Sequence, residues 1–181
     1  MFKKILICVD DSPVSDRIAE VGADIARRYN ADAILLSVLD AARFARPPFS
    51  GLEAVAMVDH HSRSLTNNAY RLHEELQAEG VNSRVMFLPG QTAQMILSVA
   101  DQEQTDLIIM GGDAKNWMRS LLEGNLWSEV SRAAPCNVLR VGKDATTIVP
   151  PVSSGKEPRK ANVPATATVS QNGRPLIGGL G

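Results

Sequence analysis

The sequence predicts an α/β protein: a doubly wound, five-stranded parallel sheet with helices on both faces, followed by a C-terminal tail. Three observations predict it. Short apolar runs recur through the first 142 residues. Segments with helical spacing of apolar residues separate them. The resulting order is β-α-β-α-β-α-β-α-β, and strands joined through helices pair in parallel, with the helices covering the faces of the sheet.

The first strand is "KKILICVD", Lys3 to Asp10, a continuous apolar run suited to burial on both faces. A helix follows, with Ile18, Val21, Ile25 and Ala26 on one stripe. Ser12 and Pro13 predict its start: a capping hydroxyl, then a proline where no N–H is required. "ADAILLSVLD", Ala31 to Asp40, is the second strand. Residues 41–51, "AARFARPPFSG", have turn chemistry and read as an excursion or lid.

Leu52 to Glu79 is helical in pattern, with Val55, Val58, Leu65, Ala69, Leu72 and Leu76 on one broad stripe and Gly80 placed to end it. "VNSRVMFL", Val81 to Leu88, is the third strand. The third helix carries Thr92 near its cap and turns Met95, Ile96, Val99 and Ala100 inward. "TDLIIMG" is the fourth strand, Ser120 to Ala134 holds the fourth helix, and "CNVLRV", Cys136 to Val141, is the fifth strand. The domain boundary falls at residue 142. Residues 143–181 are rich in Pro, Ala and Thr, show no period that supports a core element, and read as a flexible tail. Within it, "TTIVPPV" and "RPLIGGLG" are apolar enough to dock on the body, on a dimer mate or on a partner.

Bulk properties narrow the function classes. The chain has 181 residues, 44% hydrophobic and 22% charged, the composition of a globular domain. Its net charge of −1 gives no pull on nucleic acid. The charge is uneven: residues 1–142 carry 14 Lys and Arg against 18 Asp and Glu, whereas the tail carries 5 against 2. An acidic body with a mildly basic tail is not the pattern of a DNA binder. Cys8 and Cys136 lie in apolar runs and read as buried free thiols. No apolar run reaches the ~18–20 residues of a membrane span. The apolar run at the amino terminus is short and ends in Asp10 and Asp11, so it reads as a strand and not a leader, and the expected compartment is the cytoplasm. His60 and His61 are adjacent, point about 100° apart on a helix and make a poor shared metal site. "VDDS" offers carboxylates and a hydroxyl without a partner histidine, so no catalytic residue is assigned.

Four pieces, in order, resemble the universal stress protein family: "KKILICVDDSPVS", "ADAILLSVLD", "LPGQTAQMILSVADQEQTDLIIMGG" and "GNLWSEVSRAAPCNVLRV". The resemblance spans about residues 2–142. It implies an adenine-nucleotide α-hydrolase-like sheet and a regulatory, non-enzymatic protein in which any ATP hydrolysis is slow and incidental. It further implies a nucleotide, ATP or another adenine derivative such as AMP, with Mg²⁺ as a companion ion.

ATP-binding members carry a glycine, two residues, a second glycine, nine residues, and a glycine followed by serine or threonine. Here the four positions are Gly111, Ala114, Gly124 and Asn125. Two match and two depart. Such a loop presents backbone N–H groups to phosphate, and glycine permits close approach. Ala114 adds a methyl and Asp113 a negative charge, while Lys115 and Arg119 can supply positive charge and the Asn125 amide can donate. The resemblance also places Asp10 beside the nucleotide, Val38 at the adenine, and Met110 before the first glycine, with Val9 and Leu126 as neighbours in the same site. Val138, Leu139 and Val141 resemble the family's dimerisation edge, which implies a homodimer. The rival reading from the departures in the loop is a non-nucleotide adaptor of the same fold, with the tail or residues 41–62 touching a protein partner.

Overall fold

A computed structural model describes residues 1–45, 51–112, 126–142 and 146–149. The elements in chain order are β1 (Lys4–Cys8), α1 (Val14–Tyr29), β2 (Asp32–Leu39), a 3₁₀ turn (Ala41–Phe44), α2 (Gly51–Ala78), β3 (Ser83–Pro89), α3 (Thr92–Gln102), β4 (Leu107–Gly111), α4 (Leu126–Ala133), β5 (Asn137–Val141) and β6 (Thr146–Val149). The sheet order is β3-β2-β1-β4-β5-β6. The first five strands are parallel, as expected. β1 sits centrally, with Ile5, Leu6 and Ile7 facing Ala33, Ile34 and Leu35 on one side and Leu107, Ile108 and Ile109 on the other.

The period of two in β1 assigns its side chains to two cores. Ile5 and Ile7 join Ile18, Leu35, Leu72 and Ile109 under α1 and α2. Leu6 joins Ile34, Ile96, Val99, Ile108 and Val130 under α3 and α4. Full burial of each Leu or Ile contributes about 1.5–3 kcal/mol, which is why these continuous apolar runs become strands covered on both faces.

The helix ends follow local chemistry, with one correction. Asn30 closes α1 in the left-handed conformation at φ 51°, and Gly80 follows α2 at φ 80°. The expected Ser12 cap of α1 is absent. Pro13 is the boundary residue, and the Ser12 hydroxyl donates to the Asp10 carboxylate instead. The helix begins at Val14, so Ser12 lies one residue before the capping position and Pro13, which has no side-chain acceptor, occupies it.

The apolar stripe of α2 also divides. Leu65, Ala69, Leu72 and Leu76 are buried, whereas Val55 is 66% exposed and Leu52 87% exposed. At 28 residues, α2 is about 42 Å long. The sheet supports only its second half, so the first turns stand beyond it. Side chains tie α2 to the β1–α1 loop and to α1: Asn68 Nδ2 donates to the Asp10 carbonyl at 2.6 Å, and Arg71 pairs with Asp16.

The tail contributes to the sheet, contrary to expectation. Thr146–Val149 pairs antiparallel with β5, setting Val138 against Val149 and Val141 against Thr146. "TTIV" consists of β-branched residues, which favour an extended, pleated strand. The tail beyond Val149 lies outside the described residues. β5, expected to be the dimerisation edge, is therefore flanked on both sides within the chain.

The division of α2 is measurable by urea denaturation. Leu72→Ala is expected to lower stability by about 2–5 kcal/mol, and Val55→Ala by less than about 0.5 kcal/mol. Equal losses at the two positions would contradict the packing described.

Candidate functional site

Strand order reverses between β1 and β4, because β1 continues to β2 on one side while β4 and β5 lie on the other. The crossovers leave a crevice at the carboxyl ends of these strands, where ligands bind in open α/β sheets. A cleft of about 460 Å³ lies there, within the range of about 300–1,000 Å³ for small-molecule sites. Of the residues expected at the site, Val9, Asp10, Val38, Met110, Gly111 and Leu126 all line it. Ala114, Gly124 and Asn125 lie outside the described residues, as do Asp113, Lys115, Trp117 and Arg119.

The floor is rigid. The Val9 N–H donates to the Leu36 carbonyl at 2.9 Å, and the Val9 carbonyl accepts from the Ser37 hydroxyl at 3.0 Å. The Val9 N–H is thus committed to β2, and Val9 offers a ligand mainly its apolar surface. Ser37 is fully buried, a polar side chain inside an apolar strand, and it is satisfied by this one bond.

Asp10 is held by reciprocal hydrogen bonds. Its N–H donates to Ser15 Oγ at 3.0 Å, while the Ser15 hydroxyl donates to Asp10 Oδ1 at 2.7 Å. The Ser12 N–H donates to the same Oδ1 at 3.0 Å, and the Ser12 hydroxyl donates to it as well. Ser15 is fully buried in the first turn of α1. Three donors converge on Oδ1. Oδ2 takes part in no hydrogen bond among the described residues, which leaves it as an acceptor with a fixed direction.

The glycines at the end of β4 have a steric cause. A Cβ on Gly111 would lie 3.1 Å from Ile18 Cδ1 and 3.2 Å from Val14 Cγ1, so a hydrogen here lets α1 close on β4. A Cβ on Gly112 would lie 2.4 Å from Arg140 Cδ. The Arg140 guanidinium in turn stacks over the Trp127 ring, 5.4 Å from its centroid. The Gly112 N–H donates to the Val141 carbonyl at 3.2 Å, extending the β4–β5 ladder by one bond. Neither glycine uses a positive φ.

Cys8 and Thr92 also line the cleft. Burial pushes the Cys8 thiol well above its ordinary pKa, with Cys136 acting in the same direction, so Cys8 presents a neutral S–H. Both cysteines are free. Beside the cleft, His61 Nδ1 sits 3.2 Å from Asp11 Oδ2 and its ring meets Phe44 edge-on at 5.3 Å. His61 therefore serves as a tether between α2 and the β1–α1 loop.

A smaller cleft of about 200 Å³ opens at the amino ends of β1, β2 and β3. Its charges are already paired. Lys4 Nζ and Arg84 Nη2 both reach Glu103 Oε2, at 3.3 and 2.6 Å, and Asn82 donates to Asp32 at 2.7 Å. The carboxyl-end cleft, with its directed and unshared carboxylate oxygen, is the candidate site.

Sequence reasoning missed Ser15, Ser37 and Asn68. A serine interrupting "AILLSVL" was a visible signal for Ser37. Ser15 and Asn68 carried none, because their roles depend on how α1 and α2 close over the end of β1.

Known proteins share this fold. The profile of the universal stress protein family matches residues 1–142. A universal stress protein of Methanocaldococcus jannaschii is 29% identical over 145 residues, covering 79% of this chain and 84% of the relative. The structure of the universal stress protein UspA of Lactobacillus plantarum superposes with a TM-score of 0.64 at 24% identity, covering 77% of this chain and 97% of that one. A universal stress protein solved in complex with cAMP superposes with a TM-score of 0.57 at 18% identity, covering 78% and 97%.

The Asp10–Ser15 lock is testable by denaturation. Ser15→Ala strands the Asp10 N–H and removes a donor to Oδ1, and is expected to cost about 1–3 kcal/mol. Ser12→Ala, at an exposed turn, is expected to cost less than about 1 kcal/mol. The reverse ranking would contradict the lock.

Proposed function

We propose an adenine-nucleotide-binding regulatory role on one premise: this chain belongs to the universal stress protein family. The observation that carries the reading is the carboxyl-end cleft, apolar along Val9, Leu36, Val38, Ile96 and Met110 and bearing the directed carboxylate of Asp10. An adenine ring suits the apolar walls, through dispersion and loss of hydrated surface. Asp10 Oδ2 suits the ribose hydroxyls, which are donors. The phosphates then run past Gly111 and Gly112 toward the segment that joins β4 to α4, where Lys115 and Arg119 lie in the sequence.

Support from relatives is of the same kind. One structural neighbour was solved with cAMP, an adenine nucleotide. Mg²⁺ enters this reading only as the companion of a triphosphate. The loop's Asp113 and Ala114 weigh against tight triphosphate binding, so the expected ligand order places AMP or cAMP at or above ATP. Among the described residues of the cleft no group forms a nucleophile with a base, and the protein is read as a sensor, with hydrolysis slow and incidental. A cytoplasmic setting belongs to this reading, and no described helix is long and apolar enough to cross a membrane.

A second reading rests on a separate observation. Leu52, Val55 and Met57 are exposed on the first turns of α2, at 87%, 66% and 39%. An adaptor without nucleotide would use this surface, within residues 41–62, to meet a protein partner.

Titration calorimetry with AMP, cAMP, ADP and ATP, each with and without Mg²⁺, tests the first reading. At least one nucleotide is expected to bind with Kd below about 1 mM, that is, more favourably than about −4 kcal/mol. Asp10→Asn is expected to weaken it roughly tenfold, as the loss of one charge-assisted hydrogen bond worth about 1.5 kcal/mol. Absence of heat with every nucleotide at millimolar concentration would leave the adaptor reading.

A further inference from the structure

We propose that β6 is an internal seal on the outer edge of β5, holding the place that β5 of a second copy would otherwise take. The seal is built from consecutive features of one stretch of chain. β5 is an apolar strand, with Val138, Leu139 and Val141 at 1%, 2% and 0% exposure. Its outer backbone row would be unpaired without β6, and a row of that kind is a template for another strand. β6 fills it antiparallel over four residues, from Val141↔Thr146 to Val138↔Val149.

The connection is short. Four residues, 142–145, separate the paired ends, a common hairpin length. The sequence then stops the strand. Pro150 and Pro151 follow Val149 directly, and neither has an N–H to extend the ladder. The new outer edge is therefore only four residues long and ends in proline, both devices that discourage edge-to-edge pairing. An edge inviting self-association is exchanged for one that resists it.

Magnitudes favour the internal strand. A strand joined by a short loop competes at an effective concentration of about 1 mM or more. A second copy at about 10 µM competes roughly a hundredfold less well for the same backbone row. The second copy fits the slot chemically, because a strand pairing antiparallel with its own copy is the two-fold, self-complementary arrangement. Pairing of two chains through Val138, Leu139 and Val141, which the family resemblance implies, is then conditional on β6 leaving. The hinge for that departure is Gly142, which also lines the carboxyl-end cleft.

Full-length chain and two full-length variants test this by sedimentation velocity and backbone hydrogen exchange. Ladder bonds alternate along an antiparallel strand, so Thr147→Pro and Ile148→Pro together cover both phases. The unaltered chain is expected to sediment as a monomer from about 1 to 100 µM, a range below the effective concentration of the tethered strand, with slowed exchange at residues 146–149. At least one proline variant, folded by circular dichroism, is expected to dimerise within that range. Three results would overturn the proposal: an unaltered chain that is already dimeric, residues 146–149 exchanging at unprotected rates, or folded variants that both remain monomeric. Should neither variant fold, the mass and exchange of the unaltered chain decide it.

Discussion

The parallel pairing of β1 with both β2 and β4 is the constraint on which the rest of the structure depends. Ile5, Leu6 and Ile7 have ladder partners on either side and helices over both faces. A strand in that position has no route to solvent except at its ends. The chain must leave β1 and turn sharply, and the turn falls where the sheet order reverses. The cleft is what remains when α1 departs under one face and α3 and α4 cover the other. Its location follows from hydrophobic burial, before any ligand is considered.

Polar groups then give that opening direction. Asp10 leaves β1 with its N–H bound to Ser15 and Oδ1 taken by three donors, while Oδ2 has no donor among the described residues. Asn68 holds the carbonyl of the same residue from α2. Preorganisation of this kind lowers the entropic cost of binding, since the carboxylate need not be ordered by the ligand. The glycines complete the opening differently from a phosphate loop's usual logic. Gly111 and Gly112 make room for Val14, Ile18 and Arg140, with φ values open to any residue. Glycine at these positions would serve packing even in a chain that bound nothing, so the cleft and the Asp10 lock carry more weight for function than the glycine pattern does.

Much of this was legible in the sequence. β1, β2 and β4 announce themselves because a strand buried on both faces must be continuously apolar. The six described residues named from the family pattern all line the carboxyl-end cleft. What failed did so for physical reasons. The stripe on α2 continues to Val55, but periodicity records a face and not the length of the sheet beneath it. Ser12 has the composition of a cap, yet the helix begins one residue later and Pro13 takes the boundary position. The strand in "TTIV" was hidden because four residues are too few to show a period, and its partner lies in the preceding strand. Ser15 and Asn68 acquire roles only through tertiary closure.

The central claim is that the carboxyl-end cleft receives an adenine nucleotide, with base and ribose between β1, β2 and β4. An amide-resolved NMR titration of the intact chain with AMP tests it most directly. The account predicts saturable shifts concentrated at Asp10, Val38, Gly111 and Gly112, with the strands' amino ends unmoved. Shifts confined to the amino-end cleft around Lys4 and Arg84, or no saturable shift at all, would contradict it.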